Sequence, residues 1–107
     1  MRESAVEMPV VRRAEMAGYY VRKVQWPGRR HAPDRLFARA DRGTVFIEFK
    51  RPGESPRRGQ TVEHERMRKA GIEVHVCDTA TDALRILWLL PGHNGGPPLD
   101  DDWKDIV

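Results

Sequence analysis

At 107 residues the chain has room for one domain with a single modest core. Its lone cysteine, Cys77, excludes a disulfide framework and fits a reducing compartment. Nineteen Lys+Arg against sixteen Asp+Glu give a net charge of +3, unevenly placed: residues 1–90 carry 18 basic and 12 acidic groups, residues 91–107 one lysine and four aspartates. Arginine far outnumbers lysine in the basic body, and guanidinium forks suit phosphate oxygens, so a polyanion is the expected partner. A well-solvated surface is the plainer account of the same composition. No stretch approaches the roughly 20 apolar residues of a membrane span, and Met1-Arg2-Glu3 is unlike a secretory leader, so the expected location is the cytoplasm.

Ser4-Ala5-Val6-Glu7 has the capping-box spacing, and Val6, Val10, Ala14 and Ala17 recur at helical intervals until Gly18. A first helix is expected, with Ser4 as cap. Pro9 requires either a kink in its first turn or a regular start at Pro9 itself. Tyr19 to Trp26 is rich in aromatic and β-branched residues and predicts a strand with Tyr20, Val24 and Trp26 on one face. Pro27-Gly28 ends it, and Arg29-Arg30-His31-Ala32 forms an irregular basic loop. Arg35 to Arg39 predicts a second strand. Asp41-Arg42-Gly43 turns the chain into a third, Thr44 to Lys50, which makes an antiparallel hairpin. Ser55-Pro56 opens a second helix that runs through Gln60, His64 and Met67 to Ala70, with Gly71 as its stop. Ile72 to Cys77 is a fourth strand. Thr79 or Thr81 then caps a third helix containing Ala83, Leu84, Ile86, Leu87 and Leu90. The expected boundaries are a domain over 1–90 and a Pro/Gly-rich acidic tail over 91–107, where Trp103, Ile106 and Val107 could anchor onto the body or a partner.

The middle third carries the chemistry. With Glu48 and Lys50 on one strand, the two-residue period turns both to one face and Val45, Ile47 and Phe49 to the other. Asp34, placed by the fixed φ of Pro33, could meet Glu48 across the hairpin. Two hard carboxylates beside an ammonium on a basic protein point to a divalent metal and a phosphodiester. Arg29, Arg30, Arg35, Arg57 and Arg58 flank this site and are candidates for phosphate contacts, against the plainer reading of a solvated charge run. His31 could touch the leaving group. His64, His75 and His93 share no zinc spacing.

The full ordered set is Glu7, Pro33-Asp34, Glu48-Phe49-Lys50, Ser55-Pro56, Gln60, then Gly71-Ile72-Glu73-Val74-His75-Val76. It resembles the VRR-NUC family of the PD-(D/E)XK nuclease superfamily over about residues 3 to 84. The opening, Ala5-Val6-Glu7 and then Gly18, is similar to archaeal Holliday-junction resolvases. This resemblance implies an α/β, restriction-endonuclease-like fold, a mixed β-sheet flanked by helices in the order αβββαβα. It also implies Mg²⁺- or Mn²⁺-dependent cleavage of DNA, with branched DNA (a Holliday junction or flap) as substrate for short phage-type members acting in the host cytoplasm. Asp34, Glu48, the Phe49 carbonyl and Glu7 become the metal ligands. Lys50 assists the attacking water, and Gln60 holds the geometry or reaches the phosphate. Paired cuts across a junction would require a homodimer. Ala32 and Pro9 depart from the family pattern. Pro9 leaves open whether Glu7 or, one turn earlier, Glu3 supports the metal; the plainer reading of Glu7 is a capping-box residue bonded to the Ser4 backbone. The rival from another class is a non-catalytic DNA-binding or regulatory module that keeps the nuclease fold; a third possibility is an adaptor working through its tail.

Overall fold

Strand periodicity sets the centre of the molecule. In the computed structural model, which describes residues 2–90, strand β3 (Gly43–Phe49) buries Val45, Ile47 and Phe49 completely on one face. The expected boundary at residue 90 and the acidic tail beyond it lie outside the described residues. Around β3 the elements are α1 (Glu3–Met16), β1 (Tyr20–Lys23), β2 (Arg35–Arg39), α2 (Arg58–Lys69), β4 (Val74–Cys77) and α3 (Ala80–Ile86), the expected αβββαβα order. The sheet order is β1-β2-β3-β4. The first two pairings are antiparallel and β3–β4 is parallel, with α2 as the crossover.

Two layers of helix cover the sheet. Val6, Val10, Val11 and Ala14 of α1 and Ala83 and Leu84 of α3 join Val21, Phe37, Val45, Ile47, Phe49 and Cys77 in one apolar core. Phe37 meets Tyr19 and Phe49 edge-on, with centroids 6.5 and 6.3 Å away. On the other face α2 packs near β4, with Met67 and Val74 buried. Gly71, at φ +85°, ends α2 in the left-handed region and lets the Ile72 N–H return to the Met67 carbonyl at 2.9 Å.

Several boundaries differ from the sequence expectation. Helix α1 runs continuously from Glu3, with Arg2 rather than Ser4 at the N-cap and Pro9 inside. An interior proline costs about 3 kcal/mol. Burying two valines fully, at about 1.5–3 kcal/mol each, offsets it, and Val6 and Val10 are both buried. Strand β1 is shorter than expected and of opposite phase: Tyr19 and Val21 face the core, while Tyr20 is exposed with the Arg22 guanidinium 4.0 Å over its ring. The Tyr19 hydroxyl donates to the Leu87 carbonyl, which ties the start of β1 to the end of α3. Helix α2 begins three residues after Ser55, with Arg57 at its N-cap. Of the two threonines, Thr79 caps α3, its hydroxyl accepting from the Asp82 N–H at 3.1 Å. Leu87 and Leu89 follow α3 as buried residues outside it.

Candidate active site

The hairpin register brings the two acids together. Arg35 lies opposite Ile47 and Leu36 opposite Phe46, so one further step sets Asp34 against Glu48. The Asp34 carbonyl accepts from the Val24 N–H at 3.1 Å, and its Oδ2 accepts from the Phe49 N–H at 2.7 Å. The residue after β1 thus holds the Asp34 backbone, and the end of β3 holds its half-buried side chain, at the end of the sheet. Glu48 is only 3 % exposed. Its Oε2 accepts from Gln60 Nε2 at 3.3 Å and lies 3.8 Å from Lys50 Nζ. Its Oε1 is buried with no hydrogen-bond partner. Lys50, one residue past β3, is also buried.

Crowding of like charge shows in the acids. Burial first, then the neighbouring Asp34 carboxylate, push Glu48 up to about 7, against the pull of Lys50. Burial likewise raises Asp34 above the usual carboxylate range, opposed by the Phe49 amide. The two carboxyls are close enough for each to act on the other. Both shifts mark a place where charge is held out of water without full compensation.

The remaining predicted residues divide. Gln60 spans two jobs: its Oε1 accepts from the Arg57 N–H at 2.9 Å, closing the first turn of α2, while its amide nitrogen holds Glu48. Glu7 makes no capping box with Ser4. It receives Arg35 Nε at 2.5 Å, with side chains 19 % and 12 % exposed, and its charge still reaches Asp34. Arg35 points to the α1 side of the sheet, away from the face that carries Glu48, whereas Arg29, Arg30, Arg57 and Arg58 are exposed. Glu3 lies close enough to Glu48, Asp34 and Lys50 to feel each of them. Burial first, then a hydrogen bond with Glu54, raise its carboxyl. Glu54 itself is paired with Arg51 at 2.8 Å.

Sequence reasoning missed two neighbours of the site. Glu54 gave no signal beyond its charge. His64 did: it stands four residues after Gln60, so both share a face of α2. It is 1 % exposed with Nε2 unpartnered. Burial first, then nearby Arg68, hold its pKa down, and Lys50 and His31 are close enough to add to that effect.

The donor chemistry selects among metals. The donors at the acid pair are carboxylate oxygens rather than the Cys and His groups of a structural zinc site, and among the described residues no three His, Cys, Asp or Glu groups cluster as ligands for any metal. Two hard carboxylates, one with an orphaned oxygen, do fit Mg²⁺ or Mn²⁺, ions that keep several waters and take one or two carboxylates plus a phosphate oxygen.

A mixed four-stranded sheet between helices, with an acid pair and a lysine at the end of its central hairpin, defines the restriction-endonuclease-like class. No family model matches the sequence. A curated protein of Acyrthosiphon pisum secondary endosymbiont phage 1, named "Putative nuclease p44", is 38 % identical over 79 residues, which is 74 % of this chain and 85 % of that one. A solved structure titled "VRR_NUC domain" superposes with a TM-score of 0.72 at 34 % identity, covering 80 % of this chain and 94 % of that one. The chain belongs to the VRR-NUC family.

Proposed function

We propose that this chain is a Mg²⁺- or Mn²⁺-dependent endonuclease that hydrolyses phosphodiester bonds of DNA, with branched DNA as the preferred substrate. The observation that carries the proposal is the buried, unpartnered Oε1 of Glu48 beside Asp34 and Lys50. A module that only bound DNA would gain nothing from two acids facing phosphates, because they repel a polyanion unless a cation sits between them. The relative named as a nuclease and the shared fold point the same way.

Asp34 and Glu48 would hold the ion, with the Phe49 carbonyl as a further oxygen from the same strand end. When bound, the ion polarises the scissile phosphate and makes a water a better nucleophile. The chain's own residues supply the rest. The Phe49 N–H and Gln60 amide fix the rotamers of Asp34 and Glu48. Lys50 offers N–H donors to the attacking water and to phosphate oxygens as negative charge gathers on them in the in-line displacement. Arg29, Arg30, Arg57 and Arg58 grip phosphates on either side of the cut. Glu7, locked to Arg35, would act through its charge on Asp34, and Glu3, whose charge also reaches Asp34, Glu48 and Lys50, would hold water near the ion. One chain makes one site, so symmetric cuts across a junction follow from a two-fold homodimer.

The test is cleavage of end-labelled four-way junction, flap, splayed-arm and duplex DNA in Mg²⁺ and in Mn²⁺, comparing the natural protein with Glu48→Gln. The expected result is cutting of branched substrates to 5′-phosphate and 3′-hydroxyl ends by the natural protein, and binding without cutting by the variant. Equal binding with no cleavage by either protein would overturn the proposal in favour of a binding module.

A further inference from the structure

Two residues in separate segments of the chain break local rules in a way that each explains the other. His31 holds φ +71°, a backbone region that non-glycine residues rarely adopt. Gly59 sits in the first turn of α2 with ordinary helical backbone, where alanine would be the better helix former. A Cβ on Gly59 would lie 2.3 Å from His31 Nε2 and 2.8 Å from its Cδ2 and Cε1. The imidazole therefore occupies the space that a side chain at residue 59 would fill. The strained backbone at His31 aims the ring there, and the glycine receives it.

The contact joins two segments otherwise far apart in sequence. The loop between β1 and β2 is closed at its base by the Val24–Asp34 backbone bond at 3.1 Å and folded by the Arg29–Trp26 turn at 3.1 Å. Neither bond ties it to α2; the ring of His31 does. Arg29 and Arg30 immediately precede the histidine, and Arg57 and Arg58 immediately precede the glycine. Seating one residue on the other brings together the segments that carry these two exposed arginine pairs.

We infer that His31 is a positioning residue: its imidazole, docked on Gly59, latches the basic loop to α2 so that Arg29, Arg30, Arg57 and Arg58 form one continuous track for the phosphates of a nucleic-acid strand entering the site. The latch itself is a property of the fold; what the track carries rests on the nuclease proposal above. His31→Gly suits the left-handed backbone and removes only the ring. Gly59→Ala evicts the ring while favouring the helix. Both variants should therefore fold, and the pair reports on one contact.

The experiment measures two things on the natural chain, His31→Gly, Gly59→Ala and the double variant. Amide hydrogen exchange over residues 28–32, with no DNA present, reads the latch. Binding of a four-way junction at several salt concentrations, without divalent metal, reads the track. The expected result is faster exchange in all three variants, with the double variant equal to His31→Gly. Binding should weaken roughly five- to tenfold, and the slope of log K against log salt should become shallower by about 2, as when two phosphate contacts are lost, although every arginine is intact. A residue that merely supported the fold would lower the melting temperature and leave that slope alone. Unchanged exchange in His31→Gly, or losses in the double variant that add, overturn the latch. Faster exchange with an unchanged salt slope overturns the track. A natural protein that binds no DNA overturns the nuclease proposal and the track with it, while the exchange data still decide the latch.

Discussion

Removing the charge of Glu48 should make the metal-free protein more stable, and only above mildly acidic pH. The folded carboxyl ionises near 7 against an ordinary value of 4.5, chiefly because of burial and then Asp34. Below 4.5 both folded and unfolded chains hold the proton, so the group is neutral to stability. Between 4.5 and 7 the folded state keeps a proton that the unfolded state has released, so stability falls as pH rises. Above 7 the full difference is lost. At about 1.36 kcal/mol per pKa unit, the stability forfeited is about 3 kcal/mol. Glu48→Gln cannot ionise, keeps an oxygen for the Gln60 amide, and should follow a flatter pH curve. Lys50, 3.8 Å away, loses its ionic partner and trims the gain, leaving about 2–3 kcal/mol at pH 8. For a domain of this size that is roughly a 10–20 °C rise in Tm. Thermal unfolding of both proteins in EDTA from pH 4 to 9 checks it. A variant whose melting curve tracks the natural protein at every pH, or falls below it at pH 8, would refute the picture of two acids held out of water with only partial compensation from Lys50.

Adding Mn²⁺ at about 100 times its Kd should stabilise the natural protein by roughly 2.7 kcal/mol through ligand linkage, and Asp34→Asn should lose that response in the same melting assay. Arg35→Ala should destabilise the fold by about 2–3 kcal/mol in urea titration, because it strands the mostly buried Glu7. Arg29→Ala should stay within about 0.5 kcal/mol while weakening DNA binding and its salt dependence; equal stability losses would show that both arginines are structural. Gln60→Ala removes both the closure of the first turn of α2 and a donor to Glu48. It should cost about 1 kcal/mol of stability and lower kcat at least tenfold with KM nearly unchanged, whereas a rise in KM alone would move Gln60 from holding Glu48 to binding substrate.

The site's centre was legible because a strand's period is short and unambiguous. Val45, Ile47 and Phe49 alternate with Glu48, and the Asp41-Arg42-Gly43 turn fixes which residue of β2 they face, so Asp34 and Glu48 could be paired from letters alone. Phase failed where neighbouring residues were chemically alike. Tyr19 and Tyr20 are equally good strand formers, and only the place of Tyr19 between Phe37 and Leu87 decides which is buried. Helix starts failed because Ser4 and Ser55 offer caps that packing does not take up; α1 extends back to Glu3 and α2 begins only at Arg58. The pairing of Arg35 with Glu7 spans 28 positions and two elements, so no local pattern announces it. The seat of His31 on Gly59 was hidden for the same reason.

The parallel pairing of β3 with β4 sets an order of events for the chain. Asp34 and Glu48 ride on a hairpin closed by a short turn, a contact that forms early because little chain entropy is lost in making it. Gln60 arrives with the crossover helix, and the Lys50 backbone is tied down by the Cys77 carbonyl only when β4 docks. The two acids are thus forced together before the groups that offset them are in place.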